Sequence, residues 1–150
     1  MDSISIKLKS MSSDKDLRVQ KNNSHSKILL KKSMVCNSMC NSTKPEIEIL
    51  AKKNDFDTLL EFLETLGHEV EVKLFRKRHI FNWDDITVCI DFTRGYGYIL
   101  KLELVTSDQD KDIVIHKLRE KLHFLGLEET PEHVFDEKFK YYKENWKDLV

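Results

Sequence analysis

Between Val70 and Val105 three strand-like segments follow one another with only short turns between them. They are "VEVKLFRKRHIFNW" at 70–83, "ITVCIDF" at 86–92 and "GYILKLELV" at 97–105, separated by Asp84–Asp85 and by the glycine turn of "TRGYG". Turns this short leave no length for a crossover, so neighbouring strands must run antiparallel. The last segment also alternates, with Tyr98, Leu100, Leu102 and Leu104 on one face and Ile99, Lys101 and Glu103 on the other. A half-buried strand has this pattern, with its charged face turned toward water or toward a polar interior.

The rest of the chain adds strands before this meander and helices after it. "DLRVQK" at 16–21 and "SKILLKKSM" at 26–34 read as strands joined by an Asn-Asn-Ser turn, and "KPEIEIL" at 44–50 as another. Residues 1–15 are polar except for Ile4, Ile6 and Leu8, which predict either a short first strand or a flexible terminus. Phe56, Leu59, Leu60, Leu63 and Leu66 have helical spacing, with Asn54 or Asp55 as cap and Gly67 as stop. Ile113 to Leu125 predicts a second amphipathic helix, and Thr130-Pro131-Glu132 opens a third, aromatic-rich one through Trp146. The expected class is α+β, one domain over residues 1–150, with a curled antiparallel sheet that can close as a barrel.

Charge narrows the partners. The chain has 25 Lys and Arg against 26 Asp and Glu, a net charge of −1. That balance gives no global attraction for nucleic acid or an anionic membrane, so neither is expected as a partner. No apolar run is long enough for a signal peptide or a membrane span. Cys36, Cys40 and Cys89 make no disulfide framework, and the first two lack a second ligand pair for zinc; reduced thiols in a cytoplasmic protein are expected.

The charges recur strand by strand. Arg18 and Gln20 share a face, Lys32 lies in the next strand, and Lys44, Glu46 and Glu48 share a face in the one after. In the long strand Val70, Val72, Leu74, Arg76, Arg78 and Ile80 alternate along one face. A wet sheet face laced with weak cross-strand ion pairs would account for this pattern. Val70, Val72 and Leu74 argue against it, because open solvent does not favour them. The sharper reading beside it is a concave polar channel: gathered cations repel unless a polyanion offsets them, and carboxylates among them suit a hard divalent ion.

"FRKRHIFNWDDITVCIDFTRGYGYILKLELV" at 75–105 resembles the CYTH family, which includes class IV adenylyl cyclases and thiamine triphosphatases. "DLRVQ" is similar to that family's "LRxR" strand, "LLKKS" to its "LTxKG" strand and "KPEIEI" to its "RxExE" strand. The resemblance implies an eight-stranded antiparallel barrel, complete or incomplete, around a triphosphate tunnel, with helices packed outside. It implies phosphate contacts from Arg18, Lys32, Lys44, Arg76 and Arg78, and Mg²⁺ or Mn²⁺ held by Glu46, Glu48 and Glu103. Asp91 matches a family aspartate, with a turn-stabilising acceptor as its other reading, and His79 is read as a surface histidine.

The sequence departs from the family at several of these positions. Ser3 and Ser5 stand where the opening carboxylates belong, Gln20 replaces an arginine of "LRxR", and Lys101 replaces the first glutamate of "ExE". The changes at Ser3, Ser5 and Lys101 remove or offset ligand charge, so a weak metal site is expected. The implied function is metal-dependent hydrolysis of a nucleoside, organic or inorganic triphosphate, or cyclisation of ATP. The alternative is a catalytically inactive member that binds a phosphoryl ligand or a protein. The aromatic C-terminal helix is expected to cap the barrel or to form a homodimer contact.

Overall fold

The computed structural model describes residues 2–9, 15–32 and 46–150. Seven strands form one antiparallel sheet: β1 Asp2–Leu8, β2 Lys15–Lys21, β3 His25–Lys32, β4 Glu46–Lys52, β5 Val70–Trp83, β6 Ile86–Thr93 and β7 Gly97–Glu103. Their order across the sheet is β4-β3-β2-β1-β5-β6-β7. Helices α1 Phe56–Thr65, α2 Lys111–Phe124 and α3 Glu132–Leu149 complete the α+β fold. None is long and apolar enough to cross a membrane.

Two of the sequence expectations are answered by β1. The alternation of Ile4, Ile6 and Leu8 is a strand, and it lies in the centre of the sheet between β2 and β5. The expected closure is not seen: β4 and β7 are the two edges and do not pair with each other, so the sheet is open and has seven strands among the described residues.

Each face has its own apolar cluster. Ile6, Leu8 and Val19 point to one face and pack under Phe56 and Leu63 of α1. Fully burying a side chain of this size stabilises the fold by roughly 1.5–3 kcal/mol, and this cluster fixes α1 outside the sheet as expected. Asp55 precedes α1 and accepts from the Lys52 amide at 3.1 Å, which turns the chain from β4 into the helix.

Helix α3, expected to cap the barrel or to form a homodimer contact, packs on the polar face of the sheet and not outside it. Tyr142, 1% exposed, sits on Val72 and Leu74, which share the face of Arg76 and Arg78. Its hydroxyl donates to the Lys73 carbonyl at 2.8 Å. The apolar start of that face needs cover, and the aromatic stripe Phe139, Tyr142 and Trp146 supplies it.

The parity of β5 changes at its start. Lys7 pairs with Val72 but Leu8 pairs with Val70, so Glu71 is the extra residue of a bulge. Val70 therefore packs with the α1 cluster on the opposite face from Val72, not in one row with it. Glu71 is freed to pair with Lys7 and with Lys143 of α3, each at 3.2 Å.

Candidate polyanion-binding face

The register of the seven strands assembles one polar row. Arg18 lies opposite Lys7 across β2–β1, Ser3 opposite Arg76 across β1–β5, Arg78 opposite Asp91 across β5–β6, and Cys89 opposite Lys101 across β6–β7. On the other side Arg18 pairs with Leu29, which pairs with Glu48 on β4. One face thus carries Lys7, Arg18, Lys27, Arg76, Arg78 and Lys101 with Asp16, Glu48, Asp91 and Glu103.

At its centre is Asp91, 1% exposed. Arg78 donates to it from Nε and Nη2, both at 2.6 Å, a bidentate charge-assisted pair. Arg76 Nε stands 3.8 Å away and Lys101 Nζ 3.6 Å away on the same carboxylate. Burial alone would raise the Asp91 pKa; the bonds from Arg78 and the charges of Arg76, Arg78 and Lys101 outweigh it and hold the carboxyl below its ordinary range.

One carboxylate does not satisfy three cations. Arg76 Nε is buried and has no hydrogen-bond partner among the described residues. Its pKa lies below the usual arginine value, first through burial and then through repulsion from Arg78 and Arg18, against the pull of Asp91. Lys101 is likewise lowered, by burial and by Arg76 and Arg78, with Asp91 and Glu103 opposing. Only β1 separates Arg18 on β2 from Arg76 on β5, so the two charges lie in one electrostatic neighbourhood.

The residues expected at the site fall into three groups. Arg18, Arg76, Arg78, Glu48 and Glu103 share the polar face, with Glu48 accepting from Lys27 at 3.1 Å and Arg18 donating to Asp16 at 2.9 Å. The backbone of Glu46 pairs with Lys31, while Lys32 pairs with Lys15, one step out of the row that holds Lys27 and Lys31. The side chains of Lys32 and Glu46, and the whole of Lys44, lie outside the described residues. Lys7, Lys27 and Asp91 join the face without having been singled out as site residues.

The carboxylates do not make a metal cage by themselves. No three His, Cys, Asp or Glu among the described residues come together in a group able to hold a metal ion. Glu48 and Glu103 stand on opposite edge strands, and Asp91 is enclosed by cations. Ser3 and Ser5 occupy the central strand of the face: Ser3 Oγ donates to the Arg76 carbonyl at 3.4 Å, and Gln20 Nε2 donates to Ser5 Oγ at 3.1 Å. Neither hydroxyl supplies the charge of a carboxylate ligand.

No family model matches the chain. Over 87 residues, 57% of this chain, it is 36% identical to Putative adenylate cyclase MJ0240 of Methanocaldococcus jannaschii, and it spans about half (48%) of that relative's length. The crystallised putative adenylate cyclase of Vibrio parahaemolyticus superposes with a TM-score of 0.65 at 14% identity, over 93% of this chain and 80% of that one. The PH1012 protein of Pyrococcus horikoshii gives 0.64 at 22% identity, over 85% and 74%. At these identities the structural likeness is one of fold. The chain is therefore similar in sequence to one putative adenylate cyclase over about half of its length, and it shares its fold with another.

Proposed function

We propose that the protein binds a triphosphate on the polar face of its sheet, as the binding step of triphosphate hydrolysis or adenylyl-cyclase-type chemistry. The observation that carries this reading is the surplus of half-buried cations around Asp91, with Arg76 Nε buried and without a hydrogen bond among the described residues. Phosphate oxygens would supply the missing acceptors, and a polyanion would relieve the mutual repulsion of Arg18, Arg76, Arg78 and Lys101. Homology to a putative adenylate cyclase supports the same ligand class.

A second reading, binding without turnover, is favoured by Ser3 and Ser5 in place of carboxylates and by Lys101 beside Glu103 on β7. Phosphoryl transfer needs charge neutralisation together with an in-line nucleophile, and the cations supply only the first. Phosphate-release and cyclic-nucleotide assays separate the two readings, run on ATP, thiamine triphosphate and tripolyphosphate with Mg²⁺ or Mn²⁺. Turnover that falls in Arg18→Ala supports the enzyme, and saturable binding without turnover supports the second reading. Neither binding nor turnover contradicts both.

A further inference from the structure

The outer edge of β4 has no hydrogen-bonded neighbour among the described residues. It is also unusually apolar for an edge: Ile47 and Ile49 are each 57% exposed, and Leu50 65%. Proteins protect such edges with charge, proline, a bulge or a covering element, because an open apolar strand is a template for pairing. The described part of this strand, Glu46–Lys52, has neither proline nor bulge.

The sequence of β4 is complementary to itself. Set antiparallel about a two-fold axis at Ile49, "EIEILAK" places Glu46 opposite Lys52, Ile47 opposite Ala51 and Ile49 opposite Ile49. Ile47, Ile49 and Ala51 then share one face across the junction, Glu48 falls opposite Leu50 on the other, and each end of the ladder matches opposite charges. A two-fold axis makes the contact isologous, so it closes as a dimer and does not propagate. Helix α1 packs across β2 and β3, and it exposes Phe62 and Leu66, one helical turn apart.

From this self-complementarity we infer that β4 pairs with β4 of a second copy of the chain, joining two open sheets into one. The occupant is a second copy, because this sequence meets its own apolar row and its own terminal charges. The dimer leaves the polar face of each copy open, and it does not depend on what that face binds.

Sedimentation velocity on the full chain, over a wide concentration range, tests the inference. The wild type is expected to show a concentration-dependent dimer. Ile49→Lys sets two like charges on the axis and should raise the dissociation constant at least roughly tenfold. Glu46→Lys alone and Lys52→Glu alone should each weaken self-association, while an equimolar mixture of these two folded variants should dimerise, because each then supplies the other's missing charge. A wild type that stays monomeric, as when β4 closes on β7 within one chain, overturns the inference. So does a dimer that neither the Ile49 variant nor the charge reversals weaken.

Discussion

Arg78 and Asp91 face each other across the β5–β6 hairpin and share two hydrogen bonds of 2.6 Å. The pair sits at the middle of the polar face and decides its charge balance. Without Asp91, the three cations would lose the carboxylate they share.

Asp91→Asn should therefore destabilise the fold by about 3 kcal/mol, the low end for breaking a buried pair, since Arg78 keeps some contact with water. Urea unfolding at neutral pH measures this. A loss under about 0.5 kcal/mol, the level of a surface pair, would mean that the cluster is energetically superficial.

The same carboxylate fixes a direction in pH. Its folded pKa is lowered, so the stability it contributes is full above the unfolded aspartate value of about 4 and is lost as pH falls through the folded value. The wild type should lose stability progressively on acidification below about pH 4, and Asp91→Asn should show a shallower acid limb. Parallel limbs in the two proteins would contradict the assignment.

Helix α3 is held on the polar side of the sheet by one buried aromatic. Tyr142→Phe removes only the bond to the Lys73 carbonyl and should cost about 1 kcal/mol. Tyr142→Ala should cost about 3–5 kcal/mol, because a fully buried ring leaves a cavity. Gly95→Ala should also loosen the helix end: Gly95 has φ +75°, and an added Cβ would come within 2.7 Å of Leu149 Cβ. Thermal unfolding should rank Tyr142→Ala well below Tyr142→Phe; equal losses would contradict the packing.

Much of this site was legible in the sequence, and the limits are physical. Counting outward from the two-residue turn Asp84–Asp85 pairs Trp83 with Ile86, and hence Arg78 with Asp91, so that contact follows from turn length alone. Alternation likewise places Lys101 and Glu103 on the face of Arg76. The bulge at Glu71 broke the parity argument for Val70, because no turn or glycine signals it. The central place of β1 was open for a related reason: its pairing with β5 is non-local, and no short connection signals it. The side of the sheet that α3 covers was not encoded in its aromatic stripe, which suits any apolar patch; the exposed cost of Val72 and Leu74 decided it.

Divalent metal should bind the free protein weakly, since the described carboxylates do not converge. Lys101→Glu removes a positive charge near Asp91 and Glu103 and should strengthen Mg²⁺ binding, and Ser3→Glu with Ser5→Glu should do so further. Calorimetry with and without tripolyphosphate checks both. Tight Mg²⁺ binding by the wild type, insensitive to Glu48→Gln and Glu103→Gln, would contradict this reading of the ligands.

Calorimetric titration of tripolyphosphate tests the polyanion face most directly, using the wild type, Arg18→Ala, Lys101→Ala and Lys77→Ala. Arg18 and Lys101 approach the face from opposite sides, on β2 and β7, whereas Lys77 alternates to the other side of β5. The wild type should bind with an affinity that falls as salt rises. Each of the two face variants should lose roughly tenfold, about 1.4 kcal/mol, and Lys77→Ala should lose little. Unchanged affinity in both face variants, or a loss confined to Lys77→Ala, would place the anion elsewhere and contradict the account.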